Sequence, residues 1–259
     1  MTKWLYALSF KNRIWISFVL LISLGLILTG FASYYVASKV LRENTINNSQ
    51  ETLDRTVQMI DEKLRSIVVS TGNIIMSDAY KEMVQDLEHN FVPYYQHFSD
   101  LQPSFSQMLT MEPMIDSVLI VTPMGEFYPT TNQRKFAPKF METKMYSQIQ
   151  DAKSSTWIPS HEDPFFTEGT EVLTFVLAPF TSSLQEEQNV FIIVNVKTDA
   201  LKQMIIENSG QNKDNFLLID GNGENVLSGN RQSIRELFGS ESRLLEEIEI
   251  GRASCRERV

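Results

Sequence analysis
Ile115–Tyr128 reads IDSVLIVTPMGEFY, and Asn215–Leu227 reads NFLLIDGNGENVL. Each is an apolar β-rich run, then a turn with Gly and an acid, then a short return strand, which is the pattern of a hairpin. Two copies of one strand–turn–strand unit predict a tandem module. Further strands are predicted at Glu171–Phe180 (EVLTFVLAPF) and Asn189–Val196 (NVFIIVNV), on either side of a polar turn. Between hairpin and strands lie a polar basic loop (Thr130–Lys139), a short helix (Met141–Ala152) and a loop rich in Pro and acids (Trp157–Thr170). Asp199–Asn208 predicts a helix, 210–212 a linker, and Asn230–Glu247 a second helix. The sum is an α+β chain: antiparallel sheets with helices on one side.

Upstream, Lys39 to about Leu87 reads as helix, with a bend or a break expected at Gly72–Asn73. Leu53, Val57, Ile60, Leu64, Ile67, Thr71 and Ile74 alternate at spacings of four and three. This a/d pattern fits either a dimer seam or a helix packed on its own sheet. His89–Pro113, with Pro93, Pro103 and Pro113, predicts short helices joined by turns. Further upstream, Ile14–Val36 (IWISFVLLISLGLILTGFASYYV) holds no charge. At 1.5 Å per residue such a helix crosses a hydrocarbon core of about 30 Å. It exceeds the apolar core of about 7–15 residues usual in a cleaved signal peptide, which favours an uncleaved anchor. Lys3, Lys11 and Arg13 precede it and place that end in the cytoplasm. From Ala37 to Ile250 there are 17 Lys and Arg against 31 Asp and Glu, a net of −14. So acidic a surface suits an exported domain and argues against nucleic-acid binding.

The last ten residues, IGRASCRERV, resemble one reading frame of a common sequencing adapter. On that reading 250–259 is non-native, the native gene continues past about Glu249, and Cys255 is foreign. A chain otherwise free of cysteine has no disulfide framework and no thiolate metal site.

The order of anchor, long helix and two hairpin-bearing units resembles the double Cache (tandem PAS-like) extracellular sensor domain of bacterial receptors. SFKNRIWISFVLL and ASYYVASKVLRENT look like the opening of YesM-type sensor histidine kinases. The resemblance implies a cytoplasmic tail at 1–13 and a single transmembrane helix at 14–36. It implies a long juxtamembrane helix and membrane-distal PAS-like module over 37–209, and a truncated membrane-proximal module over 210–249. Residues 37–249 would be extracellular. A second transmembrane helix, a HAMP linker and a kinase module using ATP and Mg would follow. The implied function is sensing a small extracellular ligand as a membrane-bound homodimer that signals to a response regulator. Alternatives are the sensor of an AraC-type regulator or chemoreceptor, and an anchored extracellular binding protein.

The sequence carries no GxGxxG, P-loop or HExxH motif, and no catalytic residue or metal site is assigned. Gly221–Asn222–Gly223 reads as a hairpin turn. His89 and His97 read as solvent-exposed or capping residues. The candidate ligand-binding residues are Tyr128 and Arg134, after the first hairpin, and Trp157, His161 and Asp163, before the next strand. An aromatic wall with one Arg and one Asp suits a zwitterion or a sugar.

Overall fold
The computed structural model describes residues 10–89, 93–136, 138–149, 155–166, 169–177, 190–209, 216–219 and 225–229. The chain divides into two units, Met1–Arg55 and Thr56–Val259. The elements are α1 (Phe10–Met76), α2 (Asp78–Glu88), α3 (Tyr94–Met111), β1 (Ile115–Thr122), β2 (Gly125–Phe127), a 3₁₀ turn (Phe140–Glu142) and α4 (Lys144–Ile149). There follow β3 (Thr156–Glu162), β4 (Glu171–Leu177), β5 (Phe191–Lys197), α5 (Thr198–Ser209), β6 (Leu217–Ile219) and β7 (Asn225–Ser228).

The first unit contains the apolar stretch of α1. Every side chain from Ile14 to Val36 is exposed, and the helix is long and apolar enough to cross a membrane. Its hydroxyls are satisfied locally: Ser23 Oγ donates to the Leu20 carbonyl at 3.0 Å and Thr29 Oγ1 to the Gly25 carbonyl at 2.9 Å. This lets polar side chains sit in an apolar face without an orphan donor.

The second unit is built on a five-stranded antiparallel sheet in the order β2-β1-β5-β4-β3. β1 and β5 are buried along nearly their whole length, so this sheet is covered on both faces. One face carries Val118, Ile120, Phe175, Ile192 and Val194, which share a core with Ile60, Ile67 and Ile74 of α1, Leu101, Phe105 and Met108 of α3, and Leu201 of α5. The other face carries Leu119, Val121, Val176, Phe191 and Ile193, clustered with Phe140, Met145, Ile149, Phe165 and Phe166. The second hairpin, β6–β7, is antiparallel and adds Leu227 to the first core. The predicted helix at Asn230–Glu247 and the terminal tail lie outside the described residues.

The structure corrects several expectations. The helix break falls at Ser77, not Gly72–Asn73: Ser77 Oγ accepts from Tyr80 N at 3.3 Å and caps α2. The heptad positions Ile60, Ile67, Thr71 and Ile74 are buried within the unit, whereas Leu53 and Val57 are exposed. Pro103 sits inside a single 18-residue helix instead of between short ones. A mid-helix proline costs about 3 kcal/mol. Burial of Leu101, Phe105 and Met108 on one face, about 1.5–3 kcal/mol each, outweighs it. On the same face His97 is buried, not exposed, with Nε2 2.9 Å from Asp86 Oδ2 of α2. The predicted loop at Trp157–Thr170 begins as β3, an edge strand whose bulge between Ile158 and His161 accommodates Pro159.

Candidate ligand cavity
β1 and β5 lose register between Ile115 and Ser117: Ile115 faces Val196 and Ser117 faces Asn195, which leaves Asp116 as the extra residue of a bulge. A bulge re-aims a side chain and ends regular pairing. Here it sets Asp116 on the wall of a cavity of about 180 Å³, lined also by Thr131, Asn132, Gln133, Asp163, Phe166 and Thr170. The walls are pinned by backbone and side-chain bonds. Asp163 N donates to the Thr170 carbonyl at 3.0 Å, and Lys135 N to the Phe165 carbonyl at 2.7 Å. Asn132 Nδ2 donates to the Asp116 carbonyl at 3.2 Å, and Thr170 Oγ1 to Asp116 Oδ2 at 3.4 Å.

Behind the cavity a buried polar row crosses the sheet. Thr174 Oγ1 of β4 donates to Asn195 Oδ1 of β5 at 2.6 Å. Asn195 Nδ2 donates to Ser117 Oγ of β1 at 3.0 Å and to Asp163 Oδ2 at 2.9 Å. Ser117 Oγ also reaches Asp163 Oδ2, at 3.4 Å. Asp163 Oδ1 accepts the backbone N–H groups of Phe165 (2.7 Å) and Phe166 (3.3 Å). The Asp163 carboxylate is only 1% exposed and is held by four uncharged donors. Dipoles arranged in this way can hold a buried charge without a paired cation.

The five residues singled out in the sequence fall in different places. Asp163 lines the cavity. His161 ends the polar row: its Nδ1 donates to the Pro159 carbonyl at 2.8 Å and its Nε2 stands 3.4 Å from Thr174 Oγ1. Tyr128 packs edge-on against Phe98 and the cavity residue Phe166, with centroids 5.5 and 6.0 Å away. Arg134 turns away from the cavity into a bidentate pair with Glu126 at 2.7 and 2.9 Å. It also donates to the carbonyls of Lys135, Phe165 and Pro138 and lies over the Phe165 ring at 5.1 Å. Trp157 packs with Phe175 at 5.0 Å on the sheet face covered by α1, α3 and α5, and does not line the cavity. Sequence reading missed Asp116, Asn132, Thr170 and the row itself. The signal was present: Ser117, Thr174 and Asn195 are polar residues inside three otherwise apolar strands.

No family model and no curated protein matches this chain. Solved structures do. The ligand-binding domain of the Campylobacter jejuni chemoreceptor Tlp3, in complex with L-norvaline, aligns with a TM-score of 0.50 and 12% identity, over 77% of this chain and 80% of that one. The extracellular domain of vpHK1S-Z8, classed as a histidine kinase, aligns with a TM-score of 0.50 and 11% identity, over 73% and 72%. The chain has the fold of these sensor domains. A likeness at so low an identity rests on apolar patterning and connectivity. A core tolerates wide exchange of apolar residues if volume and pattern are kept.

Proposed function
We propose that this chain is the ligand-sensing part of a membrane-anchored signalling receptor, with a small extracellular ligand bound between Asp116 and Asp163. The observation that carries the reading is the cavity. A strand bulge and a buried polar row converge on one polar space, on the sheet face opposite α1, α3 and α5. Placed polar groups fix the orientation of a small ligand, and here they surround a cavity with Phe166 as its aromatic side. The fold shared with chemoreceptor and kinase ectodomains supports the same reading.

In this reading the parent is a YesM-type two-component kinase with a double Cache sensor. Residues 1–13 are cytoplasmic, and 37–249 form the extracellular modules, divided near residue 209. A HAMP linker and a module using ATP and Mg, lying past residue 249, pass phosphate to a response regulator. Ligand acts by binding one of two receptor states more tightly than the other. A homodimer contact on the upper long helix falls to Leu53 and Val57, because Ile60, Ile67 and Ile74 are already used inside the unit. A chemoreceptor is the second reading, favoured by the Tlp3 likeness.

Three measurements test this. Tyr95 is 87% exposed, so a cysteine placed there should react with an impermeant maleimide in intact cells. Labelling only after lysis would invert the orientation. Cysteines at Leu53 and Val57 should crosslink between copies, and failure of both would remove the dimer seam. Reading the gene past codon 249 decides the output. A histidine box with an ATP-binding module supports the kinase, and a long charged coiled coil supports the chemoreceptor.

A further inference from the structure
Glu112 is a buried acid that the ligand cavity does not use. It is the C-cap residue of α3 and is 6% exposed. Its Oε1 accepts a hydrogen bond from Ser66 Oγ of α1, and its buried Oε2 has no hydrogen-bond partner. Among the described residues no basic side chain pairs with it. The negative end of the α3 dipole disfavours a carboxylate there as well. A half-satisfied buried group destabilises more than an apolar group of the same shape. The stability of the α1–α3 seam therefore does not call for this acid.

We infer that Glu112 is a two-position latch between α3 and α1, its carboxylate exchanging between Ser66 and Ser70. Ser70 lies one helical turn after Ser66 on the same face of α1. With Met108 and Met111, in the last turn of α3, it lines a cavity of about 60 Å³. Asn73, Ser77, Ser104 and Gln107 complete that lining, so this side of the seam is polar and not close-packed. A carboxylate with one unpaired oxygen thus has both a second donor and room to turn. The helix itself does not slide by a full turn. Such a slide would set Thr71 where Ile67 is fully buried. The exchange is a swing of the Glu112 side chain, with a shift of the seam of about 1–2 Å, as packed helices make.

The latch adjoins the ligand cavity along the chain. Ile115 N donates to the Glu112 carbonyl at 2.9 Å, and Asp116 follows at the bulge. On the reading that the Asp116–Asp163 cavity is the ligand site, a ligand that moves the bulge changes which serine holds the carboxylate. Both serines belong to α1, so the change is passed to that helix.

The test is a set of melting temperatures of the full chain in detergent. Ser66→Ala should lower Tm by under about 3 °C, because the carboxylate passes to Ser70, and Ser70→Ala by under about 2 °C. The double substitution leaves the carboxylate without a donor and should lower Tm by about 6–12 °C, well beyond the sum. On a Glu112→Met background the same pair should lower it by under about 3 °C, since no charge is left to hold. Glu112→Met alone should leave Tm unchanged or raise it. A double variant that does not fold, while its Glu112→Met form does, gives the same support. A single substitution as damaging as the double would mean one fixed partner and overturn the latch. Additive losses, a large loss that Glu112→Met does not remove, or a fall in Tm from Glu112→Met alone would each overturn it too. None of the substituted residues lines the Asp116–Asp163 cavity, so any of these failures leaves the ligand-site reading standing.

Discussion

Asn195→Asp replaces the amide that donates to Asp163 with a second carboxylate. The present Nδ2–Oδ2 distance is 2.9 Å, and both residues are 1% exposed. Two charges at that distance repel by about 6 kcal/mol at an effective dielectric of 20. The folded protein has a cheaper alternative, which is to keep one proton on the pair. Holding a proton at pH 7 on a carboxyl whose ordinary pKa is near 3.9 costs about 4 kcal/mol, and this caps the loss. Below that cap the sign is determined. The folded variant binds one proton more than the unfolded chain, so its stability rises as pH falls, by about 1.4 kcal/mol per unit, down to about pH 4. At pH 7 the melting temperature of the full chain in detergent should drop by roughly 8–16 °C, and at pH 5 by less than half of that. Native Asn195 should show no such acid rescue over the same interval. A variant that loses under 1 kcal/mol at pH 7 and gains nothing on acidification would refute the buried contact between these two side chains.

Three further outcomes are expected. Ile67→Ala should cost about 2–5 kcal/mol, because Ile67 is fully buried against the unit's own core, while Val69→Ala, at a position 58% exposed, should stay within about 0.5 kcal/mol; thermal melting of both separates an internal seam from an external one. Gly125→Ala should destabilise by about 1–3 kcal/mol, since φ is +155° there and a Cβ would stand 2.6 Å from Tyr94 Cε2; Tyr94→Leu in the same chain should recover part of that loss in chemical unfolding. Burial raises the Tyr80 hydroxyl to about 12 from its usual 10, so the unfolded chain loses this proton first as pH rises. Stability should therefore fall between pH 10 and 12, by up to about 2–3 kcal/mol, and a Tyr80→Phe chain should lack that portion of the slope in an alkaline unfolding series.

Much of the fold was legible because it is local. The Pro123–Met124–Gly125 turn and the apolar runs of β1, β4 and β5 depend on nearby residues, and so does the uncharged run of α1. What was not legible depends on partners distant in the chain. β3 carries Pro159, Ser160 and His161, a loop-like composition, and is a strand only because β4 offers an edge. The α3 helix runs through Pro103 because its buried face meets a core assembled from α1 and the sheet. Arg134 resembles a ligand-binding residue in isolation. Its bidentate partner, Glu126, becomes visible only when the chain folds back across the end of the hairpin. Asp116 reads as an ordinary strand acid until the bulge opposite Val196 and Asn195 is seen.

The buried polar row poses an energetic question whose answer bears on the site. Ser117, Thr174 and Asn195 occupy sheet positions that continue the apolar face of Leu119, Val176 and Ile193. Replacing a complete set of buried hydrogen-bonding partners by apolar groups is often neutral or stabilising, so the row is not required for the sheet to form. The residue that does require it is Asp163. Two of its four donors come from the row, and without them a fully buried carboxylate would lose half its solvation. Asp163 in turn caps the backbone N–H groups of Phe165 and Phe166, whose rings cover the apolar end of the same face. The row thus exists to keep a charge where the sheet alone would not keep one, at the wall of the cavity. Stability explains the apolar end of this face; the polar end is explained by the carboxylate it holds on the cavity wall, which the proposed function uses as part of the ligand site.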